Sequence, residues 1–189
     1  MATMATSARA PVTVEHATPS DISDLITVWW DAFSDDFIQR VYPQTPDGRA
    51  WLERAFARNM APEDPEPGEL VTKCLIVRDP ADGLPAAIAV YHVVPEGSDA
   101  AQRSWRARWP TFEDLPDVKG REDVLDSFFG PMEKTQTYLL EGRGHVFLEA
   151  LGTREAHRKK GYGGALVRWG ADLADRLGVE CGRGSRTAN

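Results

Sequence analysis

Apolar and polar positions along the chain follow two periods, and each switch between them marks an element. Val12 to His16 alternates as a strand does. Ile22, Leu25, Ile26, Trp29, Ala32 and Phe33 then recur three and four residues apart, the spacing of one helix face. Thr18-Pro19-Ser20-Asp21 announces that helix with a cap, a proline at the first helical position and an acid at the third. A second helix is predicted over 46–60 from Trp51, Leu52, Ala55, Phe56 and Met60. The stretch 61–68 (APEDPEPG) reads as a solvated proline-acid linker. Leu70 to Val77 and Pro85 to Val94 are predicted strands, and Asp79-Pro80-Ala81-Asp82-Gly83 between them makes a hairpin turn.

From Pro95 to Gly144 the pattern is less regular and reads as an insertion. Ser104 to Trp109, continued by Thr111 to Asp117, sets two tryptophans among mixed charges. Over Arg121 to Leu140 a helical stripe returns with Val124, Leu125, Phe128 and Phe129, and Gly130-Pro131 is expected to break or kink it. Such a segment serves as a lid or substrate wall, or simply covers the sheet. The clearest pattern runs from His145 to Leu177. A short apolar strand, Val146 to Leu151, leads through a polar turn into the basic glycine-rich loop Arg158-Lys159-Lys160-Gly161-Tyr162-Gly163-Gly164. A helix follows with Tyr162, Ala165, Leu166, Trp169, Leu173, Ala174 and Leu177 on one face, and Gly178 stands where it ends. Val179-Glu180-Cys181 begins a further strand, after which the residues turn small and polar.

At 189 residues this is the length of one domain, placed at 12–181 between a flexible leader at 1–11 and a disordered tail at 182–189. The strands and helices together predict an α/β (α+β) fold. A net charge of −7 argues against a general nucleic-acid binder and is compatible with a cationic amine as substrate. No apolar run is long enough to span a membrane. Cys74 and Cys181 lack metal-ligand spacing and fit a reducing compartment, so a cytoplasmic location is expected and no metal. Oligomeric state is not legible.

Three glycines at a helix start let the backbone approach a ligand. The free N–H groups there, with the positive end of the helix dipole, make a site for phosphate. The Walker pattern GxxxxGK[ST] is absent, and a dinucleotide fingerprint would need a glycine where Leu166 stands. Arg158-Lys159-Lys160-Gly161-Tyr162-Gly163 does fit [RQ]-x-x-G-x-[GA]. With the strand before it and the helix after it, this resembles the acetyl-CoA signature of the GNAT superfamily of N-acetyltransferases. The order of elements over 12–181 is similar too, and the insertion resembles that of fungal GNAT-like proteins.

The resemblance implies a mixed, mostly antiparallel central sheet flanked by helices. It also implies that a further helix and two more strands are missing after Cys181, so a C-terminally truncated domain is expected. It implies acetyl transfer from acetyl-CoA, as co-substrate, to a small-molecule or peptide amine by direct attack. Loop amides over Lys159, Lys160, Gly161, Tyr162, Gly163 and Gly164 would hold the pyrophosphate, with Arg158 alongside and Lys159 or Lys160 reaching the ribose phosphate. Leu151 and Thr153 are the candidates for the pantetheine arm, and a backbone N–H near Leu151 for the oxyanion. Glu149, the only charge inside VFLEALG, is the candidate base for the amine's proton, with pairing to a basic residue as its alternative. Tyr162 is expected to pack in the loop, and His145 and His157 to be surface histidines. Two other outcomes stand beside the enzyme: a vestigial protein that binds CoA without catalysis, and a chain that folds poorly.

Overall fold

The computed structural model describes residues 12–60, 69–98, 100–110, 122–140 and 142–183. The expected leader, the 61–68 linker, the stretch 111–117 and positions 184–189 lie outside the described residues. A five-stranded sheet forms the centre, in the order β1-β2-β3-β4-β5. Its strands are β1 (Glu15–His16), β2 (Val71–Arg78), β3 (Pro85–Val94), β4 (His145–Thr153) and β5 (Glu180–Arg183). All neighbours are antiparallel except β4 and β5, which run parallel. β5 carries Gly182 and Arg183, so regular structure continues two residues past the expected boundary.

Alternation along β2 and β3 sends side chains to two cores, as the two-residue period of a strand requires. Cys74, Ile76, Ile88 and Val90 join one core with helices α1 (Ile22–Ala32) and α3 (Pro46–Asn59). Leu75, Val77, Ala87, Ala89 and Tyr91 join the other beneath α7 (Tyr162–Leu177). At Gly170 a Cβ would lie 2.3 Å from the Tyr91 ring, so only glycine lets α7 sit this close to β3. The Tyr91 hydroxyl donates to the Leu166 carbonyl at 3.1 Å and fixes the helix lengthwise. Gly178 ends α7 in the left-handed conformation, φ +67°, as the sequence predicts, whereas Leu177 is exposed rather than on the buried face.

The start of α1 also follows its sequence. Asp21 accepts from the Thr18 N–H and hydroxyl at 2.8 and 2.7 Å, and a short 3₁₀ turn over Pro19–Asp21 feeds the helix. Helix α2 (Asp36–Val41) has no forecast in the periodicity, being too short to show any; Asp35 caps it by accepting from Phe37 and Ile38 N–H, each at 3.0 Å. Three helices form in the described parts of the insertion: α4 (Ala100–Arg103), α5 (Trp105–Arg108) and α6 (Glu122–Leu140). Pro131 lies inside α6 and does not end it. Trp105, Trp109, Leu125 and Phe129 from this segment are buried in the α1/α3 core. The two tryptophans of Ser104 to Trp109 therefore cover the sheet.

Candidate functional site

The site is built on β4. Ala150 pairs with Val90 and Leu148 with Tyr91, leaving Glu149 as an extra residue in the ladder. Such a bulge bends its strand and re-aims one side chain. Beyond it, Leu151 pairs with Ala89 and Thr153 with Ala87 on the β3 side; the other edge of β4 is paired with β5 from His145 to Leu148 and no further among the described residues. Among the described residues, that edge of β4 from Glu149 to Thr153 has no strand neighbour.

Directly after that edge the chain enters the glycine-rich loop. A 3₁₀ turn over Glu155–His157 leads to Arg158, and α7 starts at Tyr162. Lys159 is left-handed at φ +62° and Gly161 at φ +83°. A non-glycine residue rarely adopts that conformation unless its surroundings enforce it. Two carboxylates from other elements do so. Asp31, on α1, accepts from the Glu155 N–H at 2.7 Å and from Arg154 Nε at 3.1 Å. Asp79, at the end of β2, accepts from His157 Nδ1–H at 3.0 Å and from Lys160 Nζ at 2.8 Å.

The orientation of the loop follows from these ties. Arg158 and Lys159 are exposed, and Arg158 Nε reaches the Thr153 carbonyl at 3.4 Å. Lys160, one of the two candidates for a ribose phosphate, directs its ammonium to Asp79. Tyr162 is buried and its hydroxyl bonds Asp79, so its side chain packs as expected while its backbone opens the helix. A Cβ at Gly163 would come no closer than 3.3 Å to Thr153 Oγ1, and one at Gly164 no closer than 3.6 Å to Arg168. A side chain at Gly164 would make ordinary contact, whereas one at Gly163 would require Thr153 to give by a few tenths of an ångström, and the smallness of both leaves room above the helix start. The first turn of α7 has N–H groups without intrahelical partners. Exposed amides, a helix N-terminus, Arg158 and Lys159 together fit a pyrophosphate group.

Asp79, Asp82 and His157 bring three ligand atoms within 4.8 Å of one another. The Lys160 ammonium already neutralises Asp79, and this group is an ion-pair cluster rather than a metal site. The Lys160 hydrogen bond, first among the causes, holds the Asp79 carboxyl below the usual carboxylate range.

Glu149 occupies a different environment from the open one a base would use. Its side chain is 2% exposed. Arg108 Nε donates to Oε2 at 2.7 Å, Arg108 Nη2 to Oε1 at 3.4 Å, and Trp109 Nε1 to Oε1 at 2.7 Å. His92 Nε2–H donates to Oε2 as well. Burial raises this carboxyl, but Arg108 and then His92 outweigh burial and hold it well below the usual range. His92 in turn takes the Thr72 hydroxyl at Nδ1, 2.9 Å. Burial keeps His92 below its ordinary value against the pull of Glu149, and it is neutral, since Arg108 already balances the carboxylate. His145 and His157, expected at the surface, are both buried. His145 Nδ1–H donates to the Arg143 carbonyl and Nε2 accepts from Gln136 at 2.8 Å.

Asp79, Asp31, His92 and Arg108 had no signal in the local sequence pattern that tied them to the site. Asp79 opens a hairpin turn and Arg108 lies in the insertion; only the closing of the sheet brings them to β4 and its loop.

No family model and no curated protein matches the chain by sequence. Solved structures match it by shape. A polyamine N-acetyltransferase from Drosophila melanogaster superposes with a TM-score of 0.53 at 15% identity, over 89% of this chain and 73% of that one. A mosquito arylalkylamine N-acetyltransferase-like protein gives 0.53 at 14% identity, over 89% and 73%. A transcriptional regulator from Bacillus halodurans gives 0.52 at 14%, over 95% and 83%. The mixed, mostly antiparallel open sheet flanked by helices is the GNAT fold. Among the described residues no helix is long and apolar enough to cross a membrane.

Proposed function

We propose that the chain is a GNAT-type N-acetyltransferase that moves an acetyl group from acetyl-CoA to a small amine by direct attack. One observation carries the reading: a glycine-rich turn with Lys159 and Gly161 in left-handed conformations, opening α7 beside the half of β4 that has no second strand neighbour among the described residues. The amides of Lys159 to Gly164 would hold the pyrophosphate, with the exposed Arg158 and Lys159 beside it. The edge of β4 at Leu151 and Thr153 suits the amide groups of a pantetheine arm, added like a strand. When bound, acetyl-CoA supplies an activated acyl carbon, to which the amine nitrogen bonds as the carbon–sulfur bond breaks. A backbone N–H near Leu151 is placed to meet the developing oxyanion.

Direct attack needs no nucleophile from the protein, and Cys74 does not offer one. Cys74 is buried, and burial pushes its thiol up to about 12. The amine must shed its proton before it attacks, because an ammonium has no lone pair. Glu149, enclosed by four donors, is assigned to holding the bulge rather than to receiving that proton. A small cationic amine fits the net charge of −7 and the polyamine and arylalkylamine enzymes that share the fold. The free thiols of Cys74 and Cys181 fit a cytoplasmic setting.

The test is a thermal melt with and without acetyl-CoA, for the natural chain and for Gly163→Asp. Ligand at a hundredfold over its Kd adds about 2.7 kcal/mol, which is on the order of 5–10 °C for a chain of this size. Gly163→Asp, which places a carboxylate where the phosphate belongs, abolishes the shift. Release of CoA thiol is then followed with agmatine, polyamines and arylalkylamines. A natural chain whose melt ignores acetyl-CoA refutes the proposal.

A further inference from the structure

We infer that Asp79 is a positioning residue for the cofactor loop: it holds Lys160, His157 and Tyr162 inward, so that Lys159, Arg158 and the loop amides face the ligand. The inference rests on the acetyl-CoA reading of the loop and adds a residue from a different element to it.

Asp79 directly follows β2 in the hairpin turn and is 3% exposed. Its own turn fixes it first. Its N–H donates to the Leu84 carbonyl at 2.9 Å, its carbonyl accepts from Gly83 at 2.8 Å, and Oδ1 accepts from the Ala81 N–H at 3.0 Å. The other oxygen, Oδ2, reaches across to the loop and accepts from His157 Nδ1–H and Lys160 Nζ. Tyr162 adds its hydroxyl. The three loop partners bracket the two exposed cations in sequence, one before Arg158 and two after Lys159. Pulling positions 157, 160 and 162 toward one carboxylate leaves 158 and 159 no inward course. Lys159 then takes φ +62°, a conformation that a non-glycine residue holds only where its surroundings impose it.

The consequence separates two neighbouring lysines. Lys160 serves as a strut on the protein side, and Lys159 is the lysine left to meet a phosphate. A loop already set in its bound shape spends none of the ligand's binding energy on ordering. Without Asp79, Lys160 swings free and the loop samples other shapes, so affinity for CoA falls although every group that touches the ligand remains.

The experiment measures CoA and 3′-dephospho-CoA binding by calorimetry for the natural chain, Asp79→Asn, Lys160→Met, Lys159→Met and the double variant Asp79→Asn/Lys160→Met. The expected result for Asp79→Asn is at least tenfold weaker CoA binding, matched by a rise in KM for acetyl-CoA with KM for the amine unmoved. A merely structural defect would move both. Because Asp79 acts through Lys160, the double variant is no weaker than the weaker single one. Lys159→Met reduces the preference for CoA over 3′-dephospho-CoA, whereas Lys160→Met weakens both ligands alike. Binding within twofold of the natural chain in Asp79→Asn overturns the inference. Should Asp79→Asn not fold, Lys160→Met decides in its place, and CoA binding within twofold there overturns it as well. Failure of the natural chain to bind CoA overturns the acetyl-CoA reading itself, a different outcome from either.

Discussion

Replacing Glu149 by Gln separates an anchor from a base. The substitution keeps the shape and one carbonyl oxygen but removes the charge that balances Arg108. Both side chains are nearly sealed, 2% and 6% exposed, so water cannot take over. Breaking a buried pair by removing one partner costs about 3–5 kcal/mol, because the other charge is left uncompensated. Arg108 retains Glu133 at 3.7 Å and the Arg103 carbonyl, which places the expected loss near the lower end of that range, about 3 kcal/mol. For a chain of this size each kcal/mol lowers Tm by about 2–4 °C, so the melt should fall by roughly 6–12 °C. Turnover, measured where the variant is still folded, should fall less than tenfold, against the ~10²–10⁴-fold that a general base contributes. Arg108→Met added to Glu149→Gln should restore part of the lost stability, since no buried charge then remains unpaired. A hundredfold loss of kcat with an unchanged Tm would refute this reasoning and return Glu149 to the role of base.

Three further outcomes follow from the same structure. His92 and His145 are held below their ordinary values by burial, so the unfolded chain binds protons that the folded one refuses. Their contribution is intact above pH ~6.5 and is lost as pH falls below it, at up to ~1.4 kcal/mol per pH unit for each proton. Glu149 is shifted in the same direction by a different cause, its cationic partner Arg108: its depressed carboxyl stabilises the fold above ~4.3, and that contribution is lost on further acidification. The Tm should decline between pH 7 and 5.5, and His92→Gln should flatten that decline; a level profile in the natural chain contradicts the neutral histidines. Gly170→Ala should destabilise by about 1–3 kcal/mol through overpacking against Tyr91, although alanine gains about 1 kcal/mol in helix propensity. A denaturant titration that finds the variant more stable would rule out the close approach of α7 and β3.

Much of the fold was legible because its signals are local. The caps at Thr18 and Asp21, the stripe of α1, the hairpin strands and Gly178 all act within a few residues of where they are read. The glycine-rich turn was legible for the same reason: its conformation is written in the residues that adopt it. What could not be read is what the sheet brings together. Lys160 looks like a phosphate ligand in sequence, and it becomes a strut because Asp79 lies across from it in a turn 81 positions earlier. His145 and His157 looked like surface residues because their flanks are polar, yet α6 and the β2–β3 turn cover them. Gly130-Pro131 was expected to break or kink its stripe; α6 runs on through it, with Leu125 and Phe129 buried on one side and Leu140 on the other.

Glu149 shows the limit most clearly. A lone carboxylate in an apolar strand signals either a partner or a task, and composition does not distinguish them. The bulge at Tyr91 and Leu148 decides which face the side chain takes, and the insertion supplies Arg108 and Trp109 to receive it. One ionic cluster thus ties β3, the bend in β4 and the insertion together, directly before the half of β4 that leads into the loop. Asp31 and Asp79 tie the loop directly after that half to α1 and to the hairpin. The half of β4 from Glu149 to Thr153 is therefore held from both ends by buried or half-buried carboxylates whose partners lie elsewhere in the chain. A backbone surface meant to pair with a ligand needs that rigidity, because an edge that frays would have to be ordered at each binding event.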